Sequence, residues 1–295
     1  MREAVLVLLS NRKDLRNVLD FALVDEGQDL TPEVFAILTA LSRHVTVCAD
    51  YLQQIYEQGS DEGSILYQLG LKARNVTLLG AYRNSPEVAR LAAWFIPDAT
   101  RRDEYLAQVR PGQAVRERPL LFLARSHEEE MDRLAAIVRE RQVMNERVGI
   151  LVPLRNEVNE IASQLKKRGV EVEMAVPAPP QERASGKTFI AFDNMVPKVV
   201  SFHSAKGLTF DSVLLPGLSK EAFGLFEEGI RTRMFFVGIA RAMRWAYLST
   251  VQGHETPELA RLHEAEVKGH LEIQKGGEMK ARPQRPKEEE EYSVL

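Results

Sequence analysis

The chain of 295 residues contains one cysteine, Cys48. A lone thiol excludes an intrachain disulfide and a cysteine-built zinc cage, and it fits a reducing, cytoplasmic setting. Long apolar runs are missing as well. Nothing approaches the ~18 residues that a membrane-spanning helix requires, so no membrane partner is expected. The opening MREAVLVLLSNRKD has a short apolar run without a small-residue cleavage pattern, which gives no signal peptide. An excess of one charge is also absent: 39 Lys and Arg against 42 Asp and Glu leave a net charge of −3. Overall charge therefore gives no reason to expect a polyanion, and any nucleic-acid contact must come from a local groove.

What is present belongs to a globular protein. Hydrophobic residues make up 44% of the chain and charged residues 27%, which excludes wholesale disorder. At ~150 residues per domain, the length suggests about two domains. Short runs rich in Val, Leu and Phe predict strands at 4–9, 21–24, 45–49, 76–79, 119–123, 148–152, 198–202, 212–215 and 245–249. Helical spacing marks 31–42, 85–96, 127–142 and 155–168. The first two open on Thr31-Pro32 and Ser85-Pro86, a capping residue followed by proline at the first helical position. Strands alternating with helices predict an α/β fold with mostly parallel sheets.

The polar, Pro- and Gly-containing stretch 97–118 breaks this pattern and suggests two α/β units, 1–110 and 111–252. From 253 to 295 the apolar pattern fades into a basic segment and four glutamates, which predicts a largely disordered tail. Cys48 reads as a small buried hydrophobe in a strand, and Trp94 and Trp245 read as core. His44, His127, His254, His263 and His270 have no metal-ligand spacing.

Chemistry gathers at strand ends. VDEGQD at 24–29 runs a hydrophobic strand straight into Asp25 and Glu26. In parallel α/β sheets, ligands bind beyond the carboxyl ends of the strands. There Asp25 is a candidate Mg²⁺ ligand beside phosphate, and Glu26 a candidate base for water. Taken alone, a solvated acidic turn reads the same way. The next strand ends in Asp50, Gln53 and Gln54, and the third leads to Arg83, a residue suited to bidentate phosphate contact.

Five segments occur in order: VDEGQD, ADYLQQIY, LLGAYRNSPEVARLA, VVSFHSAKGLTFDSVLLPGL and MFFVGIARA. Together they resemble motifs II to VI of superfamily 1 helicases of the UvrD/Rep type, over roughly residues 20–250. The resemblance implies two RecA-like units of the P-loop NTPase type, the first truncated at its amino end. It implies ATP and Mg²⁺ as cofactors and single-stranded or partly duplex DNA as partner. By position, Asp25 matches the metal-binding acid and Glu26 the catalytic base, with Gln28 and Asp29 completing motif II. Gln53 and Arg83 match contacts to the terminal phosphate, and Arg241 matches an arginine finger from the second unit. His203, Ser204, Lys206 and Gly207 match the DNA-touching loop of motif V. Tyr56 falls where the family places aromatic residues near the single strand, where stacking is worth ~1–3 kcal/mol per base.

Departures from the pattern are equally specific. The phosphate loop G-x-x-x-x-G-K-[ST] does not occur in the 24 residues before Asp25. Motif V reads KGLT, with Thr209, and Ala240 stands where motif VI usually has threonine. Ser185-Gly186-Lys187-Thr188 imitates the end of a phosphate loop, but Gln181 stands where the loop requires glycine and the segment lies between motifs IV and V. The resemblance therefore implies a motor fragment or subunit that is inactive alone, needing a protein or chain segment to supply the phosphate loop. A non-enzymatic pseudo-helicase serving as a DNA-binding or scaffolding subunit is the alternative. Loss of the motif I strand and helix also predicts exposed apolar surface on the first unit, or a partner covering it.

Overall fold

The computed structural model describes residues 2–54, 59–74, 76, 84–109, 117–174, 176–177, 188–189 and 194–277. The small amino-terminal part has helix α1 (Arg2–Asn11), strand β1 (Leu19–Val24), helix α2 (Pro32–Leu41), strand β2 (Ser42–Val47) and helix α3 (Glu62–Gln68). Strands β1 and β2 pair in parallel, Phe21 opposite His44 and Val24 opposite Val47. The rest comprises α4 (Pro86–Ala93), α5 (Ala99–Ala107), β3 (Leu120–Ala124), α6 (His127–Val143), β4 (Val148–Val152) and α7 (Arg155–Lys167). The strands β5 (Glu173–Met174), β6 (Val176–Pro177), β7 (Thr188–Phe189), β8 (Lys198–Ser201) and β9 (Phe210–Leu215) follow. Then come α8 (Lys220–Phe223), α9 (Glu228–Ile239), β10 (Ala242–Val251), α10 (Leu262–Val267) and β11 (Glu272–Lys275).

The main sheet has seven strands in the order β11-β3-β10-β9-β4-β8-β5, and every pairing in it is parallel. This is the α/β class with parallel sheets that the alternating pattern predicts. Strands β3, β4 and β8 are buried at every position, because helices cover both faces. Alternate residues separate into two cores, as the two-residue period of a strand dictates. Leu121, Leu151, Val213 and Leu248 meet Met234 and Phe235 of α9 on one face. Leu120, Ile150, Leu214 and Tyr247 meet Met131, Leu134 and Val138 of α6 and Ile161 and Leu165 of α7 on the other.

Helix α4 joins the first of these cores. Val88, Leu91, Ala92, Phe95 and Ile96 all lie in it, and the Phe95 ring stacks on Phe235 with centroids 4.8 Å apart. A boundary at 110 places this helix with the amino-terminal part of the chain; its apolar stripe is buried in the core of the seven-stranded sheet. Ser85 caps α4 by accepting from the Val88 backbone N–H at 3.3 Å, as the Ser-Pro-Glu signature predicts.

Four local expectations are corrected. The run 4–9 forms helix α1 rather than a strand and packs against α2. A six-residue apolar run has no decisive period, and Ala and Leu favour a helix where no neighbouring strand competes. Helix α5 occupies part of the stretch expected to be irregular. The tail is structured up to 277: a 3₁₀ turn at Pro257–Arg261, α10 and β11 bury Leu259, Leu262, Ala265, Leu271 and Ile273. Finally, Cys48 is exposed. It lies one residue beyond β2, in a sheet that has two strands among the described residues.

The same thinness leaves β1 open. Leu19, Phe21 and Leu23 project from one face and are 46%, 72% and 81% exposed, so apolar surface is present where the sequence predicts it. Val24 and Phe35 instead enter a small core with Ile65, packed by Leu38, Val45 and Val47. The predicted strand at 76–79 lies largely outside the described residues, as do 278–295 of the predicted tail. Among the described residues, no helix is long and apolar enough to cross a membrane.

Candidate functional site

The site forms where β1 and β2 end and meet the segments after β8 and α9. Beyond Val24 the chain turns at Glu26, which has a left-handed backbone (φ 53°, ψ 41°). A non-glycine residue held there costs about 1–3 kcal/mol and persists only when its surroundings fix it. Gln28 does much of the fixing. It is fully buried, and its Nε2 donates to Glu26 Oε2 at 2.5 Å. Its Oε1 accepts the Asp50 backbone N–H at 2.9 Å. One amide thus ties the acidic end of β1 to the loop after β2.

That loop is held in turn by Asp50. Its carboxylate caps the short 3₁₀ turn Tyr51–Gln53 by accepting from Leu52 N at 3.1 Å, and it receives Gln53 Nε2 at 2.6 Å. The amide oxygen of Gln53 is left to face the second sheet. There it accepts from Nη2 of Arg241, a residue 188 positions away in sequence. Arg241 is almost completely buried and is braced by Nε donating to the Val237 carbonyl at 3.2 Å.

A second crossing contact lies beside the first. Lys206, in the turn after β8, donates to Asp29 and lies 3.3 Å from Glu26 Oε2. Burial pushes the Asp29 carboxyl above its usual range, and this outweighs the opposing pull of Lys206. Burial lowers the nearby His203 imidazole, with Asp29 pulling weakly the other way.

Asp25, Glu26, Gln28, Gln53, Lys206 and Arg241 therefore share one junction. His203 and Ser204 lie in the same turn as Lys206 but line a different surface. With Pro153, Leu154, Arg155, Ser201 and Phe226 they border a cavity of about 360 Å³ beyond the carboxyl ends of β4 and β8. Ser204 is held there by Ser201, whose hydroxyl donates to Ser204 Oγ at 3.0 Å. Of the motif V residues matched to DNA contact, His203 and Ser204 thus part from Lys206, which is turned towards the acids. Tyr56 and Arg83 lie outside the described residues.

Asp25 is exposed, and its Oδ1 accepts from the Glu26 N–H at 2.9 Å. Among the described residues, no three histidine, cysteine, aspartate or glutamate side chains gather to hold a metal ion. A single carboxylate at a strand end fits a magnesium ion that takes its other positions from phosphate and water, and does not fit a protein-only cage.

Two further residues shape the junction and were not singled out from sequence. Gly59 lies against the Gln28 carbonyl: a Cβ there would come within 2.2 Å of that oxygen and 2.4 Å of Gln54 Nε2. Gly59→Ala is expected to destabilise the small unit by about 1–3 kcal/mol, since the obstacle includes backbone that must shift. Urea unfolding followed by the fluorescence of an inserted tryptophan in α2 would measure the loss. An unchanged midpoint would mean that the loop moves freely aside. The other residue, Asn84, is treated below.

No family model matches the chain, and no curated protein matches it. Among solved structures, it is similar to the C-terminal domain of a possible DNA helicase from Lactobacillus plantarum WCFS1. That likeness has 18% identity and a TM-score of 0.46, over 66% of this chain and 99% of the other. It is also similar to S. cerevisiae Dbp5 bound to RNA and ADP BeF3, with 16% identity and a TM-score of 0.49. Here 93% of this chain is covered and 64% of the other, so the chain spans just under two thirds of that neighbour's length.

Proposed function

We propose that the chain is part of a UvrD-like, ATP-dependent nucleic-acid motor, with two RecA-like units that meet at the Asp25–Arg241 junction. The observation that carries this is the convergence itself: Arg241 reaches Gln53 and Lys206 reaches Asp29 and Glu26 across the gap between the two sheets. A nucleotide bound between such units changes the distance between them when its terminal phosphate is cleaved. That is the elementary requirement for coupling hydrolysis to movement.

In this reading Asp25 holds Mg²⁺, which supplies charge neutralisation to the phosphates when bound. Glu26 orients and deprotonates the attacking water, and Gln28 fixes its carboxylate. Gln53 and Arg83 contact the terminal phosphate. Arg241 stabilises charge developing on the transferred group, a role in which one preorganised cation is worth several kcal/mol. Single-stranded DNA, or the single-stranded part of a partial duplex, runs past His203 and Ser204, with Tyr56 as a stacking platform. The units divide between 69 and 84, following the cores, so that α4 travels with the second. A separate protein or another chain segment supplies the phosphate loop and covers the open face of β1.

A non-enzymatic DNA-binding or scaffolding subunit is the alternative. Lys206 favours it, because its ammonium lies 3.3 Å from Glu26 Oε2 and engages the carboxylate that would meet the attacking water.

Measuring ATP turnover of the purified chain, with and without single-stranded DNA, tests the proposal. Glu26→Gln and Arg241→Ala serve as controls. No DNA-stimulated turnover alone is expected, with DNA binding retained. Turnover that both controls abolish would mean that the chain builds its own phosphate site. Loss of DNA binding as well as turnover would count against the motor reading altogether.

A further inference from the structure

We propose that Asn84 is the positioning residue for Arg241; this rests on the reading of Arg241 as the arginine that meets the nucleotide. The Nδ2 of Asn84 donates to two carbonyls, Ala240 O at 2.9 Å and Ala242 O at 2.6 Å. These are the carbonyls on either side of Arg241, so both hydrogens of one amide nitrogen staple the backbone that carries it. Ser85 continues the line: its N–H donates to Met243 O at 2.7 Å and its hydroxyl to Arg244 O at 3.0 Å. Residues 84–85 thus run along 240–244, although more than 150 positions separate them in sequence.

The backbone around Arg241 needs such a partner. Ala240 is the C-cap residue of α9, and the last carbonyls of a helix have no acceptor role to play within it. The start of β10 cannot supply a regular ladder, because its register with β9 shifts between Ala242 and Trp245. Arg241 therefore sits between a helix end and an irregular strand start, and Asn84 bridges the two. Its own side chain then has a defined origin from which Nε reaches Val237 O and Nη2 reaches Gln53. Among side chains of this length, only an amide brings two donors on one nitrogen and no charge. Aspartate has the same shape but turns acceptors towards two carbonyls.

The Nε–H resonance of Arg241 tests this in the full ¹⁵N-labelled chain, assigned by its disappearance in Arg241→Lys. In the wild type this proton is expected to exchange slowly with solvent. Asn84→Asp is expected to speed its exchange by about tenfold or more, the loss of roughly one hydrogen bond, while Ser85→Ala leaves it protected. Asn84→Ser, which keeps one donor, falls between and serves if Asn84→Asp fails to fold. Protection unchanged in both Asn84 variants overturns the proposal.

Binding of fluorescent ATP and ADP analogues separates the two claims. Where the wild type prefers the triphosphate, that preference is expected to fall in Asn84→Asp and in Arg241→Lys, and to fall no further in the double variant. Additive losses would make Asn84 independent of Arg241 and overturn the positioning role. A wild type with no triphosphate preference is what a chain lacking the phosphate loop should show, and exchange sensitive to Asn84 then supports the positioning role by itself.

Discussion

Replacing Phe95 with alanine is expected to cost the seven-stranded unit about 3–5 kcal/mol, the usual range for emptying a fully buried phenylalanine site. Phe95 is 1% exposed and stacks on Phe235, which stacks in turn on Phe223 at 5.1 Å. Leu91, Met234 and other apolar side chains of the same core surround Phe95, and the Arg261 guanidinium lies 5.8 Å from its ring centroid. The informative part is where the damage spreads. Hydrogen exchange should rise in α4, α9 and β10 and remain unchanged in β1 and β2. Phe35→Ala, in the separate core of Val24 and Ile65, should do the reverse. Exchange rising in β1 and β2 after Phe95→Ala would return α4 to the first unit.

The packing of α4 shows why a domain boundary is hard to read from sequence. A polar stretch marks where the chain leaves a core, not which core the preceding helix belongs to. Helix α4 was legible as a helix from Ser85-Pro86, but its partner, Phe235, lies 140 residues on. The buried strands were legible for the opposite reason: β3 and β4 are apolar on both faces, and that pattern needs no partner to be seen. Strand β11 was not, because only Ile273 of its four residues is buried. It is an edge strand whose identity comes from pairing with β3. In the site, Asp25 and Glu26 stood out as acids at a strand end, and Gln53 and Arg241 through the resemblance of their segments to motifs III and VI. Asn84 and Gly59 act on backbone carbonyls far away in sequence, and nothing in their local sequence encodes this.

The contact between Lys206 and Asp29 gives the second large effect, and its size should depend on pH. Both side chains are mostly buried, 9% and 19% exposed. Removing one member of such a pair leaves the other charge uncompensated, at a cost of about 3–5 kcal/mol when burial is complete and less when water reaches it. Lys206→Met keeps the aliphatic stem and deletes the charge. Asp29 already has a carboxyl raised by burial in spite of Lys206, so deletion raises it further. A carboxyl whose folded-state value lies above its unfolded value makes the native state bind more protons than the unfolded state between the two. Stability then falls as pH rises through that window and recovers as pH falls. The variant is therefore expected to be most destabilised near pH 8 and to approach the wild type near pH 4. Denaturant midpoints across this range, with Asp29→Asn added as a second substitution, provide the measurement. With Asp29 neutral at every pH, the extra pH dependence of Lys206→Met should vanish. If it survives unchanged, Asp29 is not the group whose charge Lys206 compensates, and the buried-pair account fails.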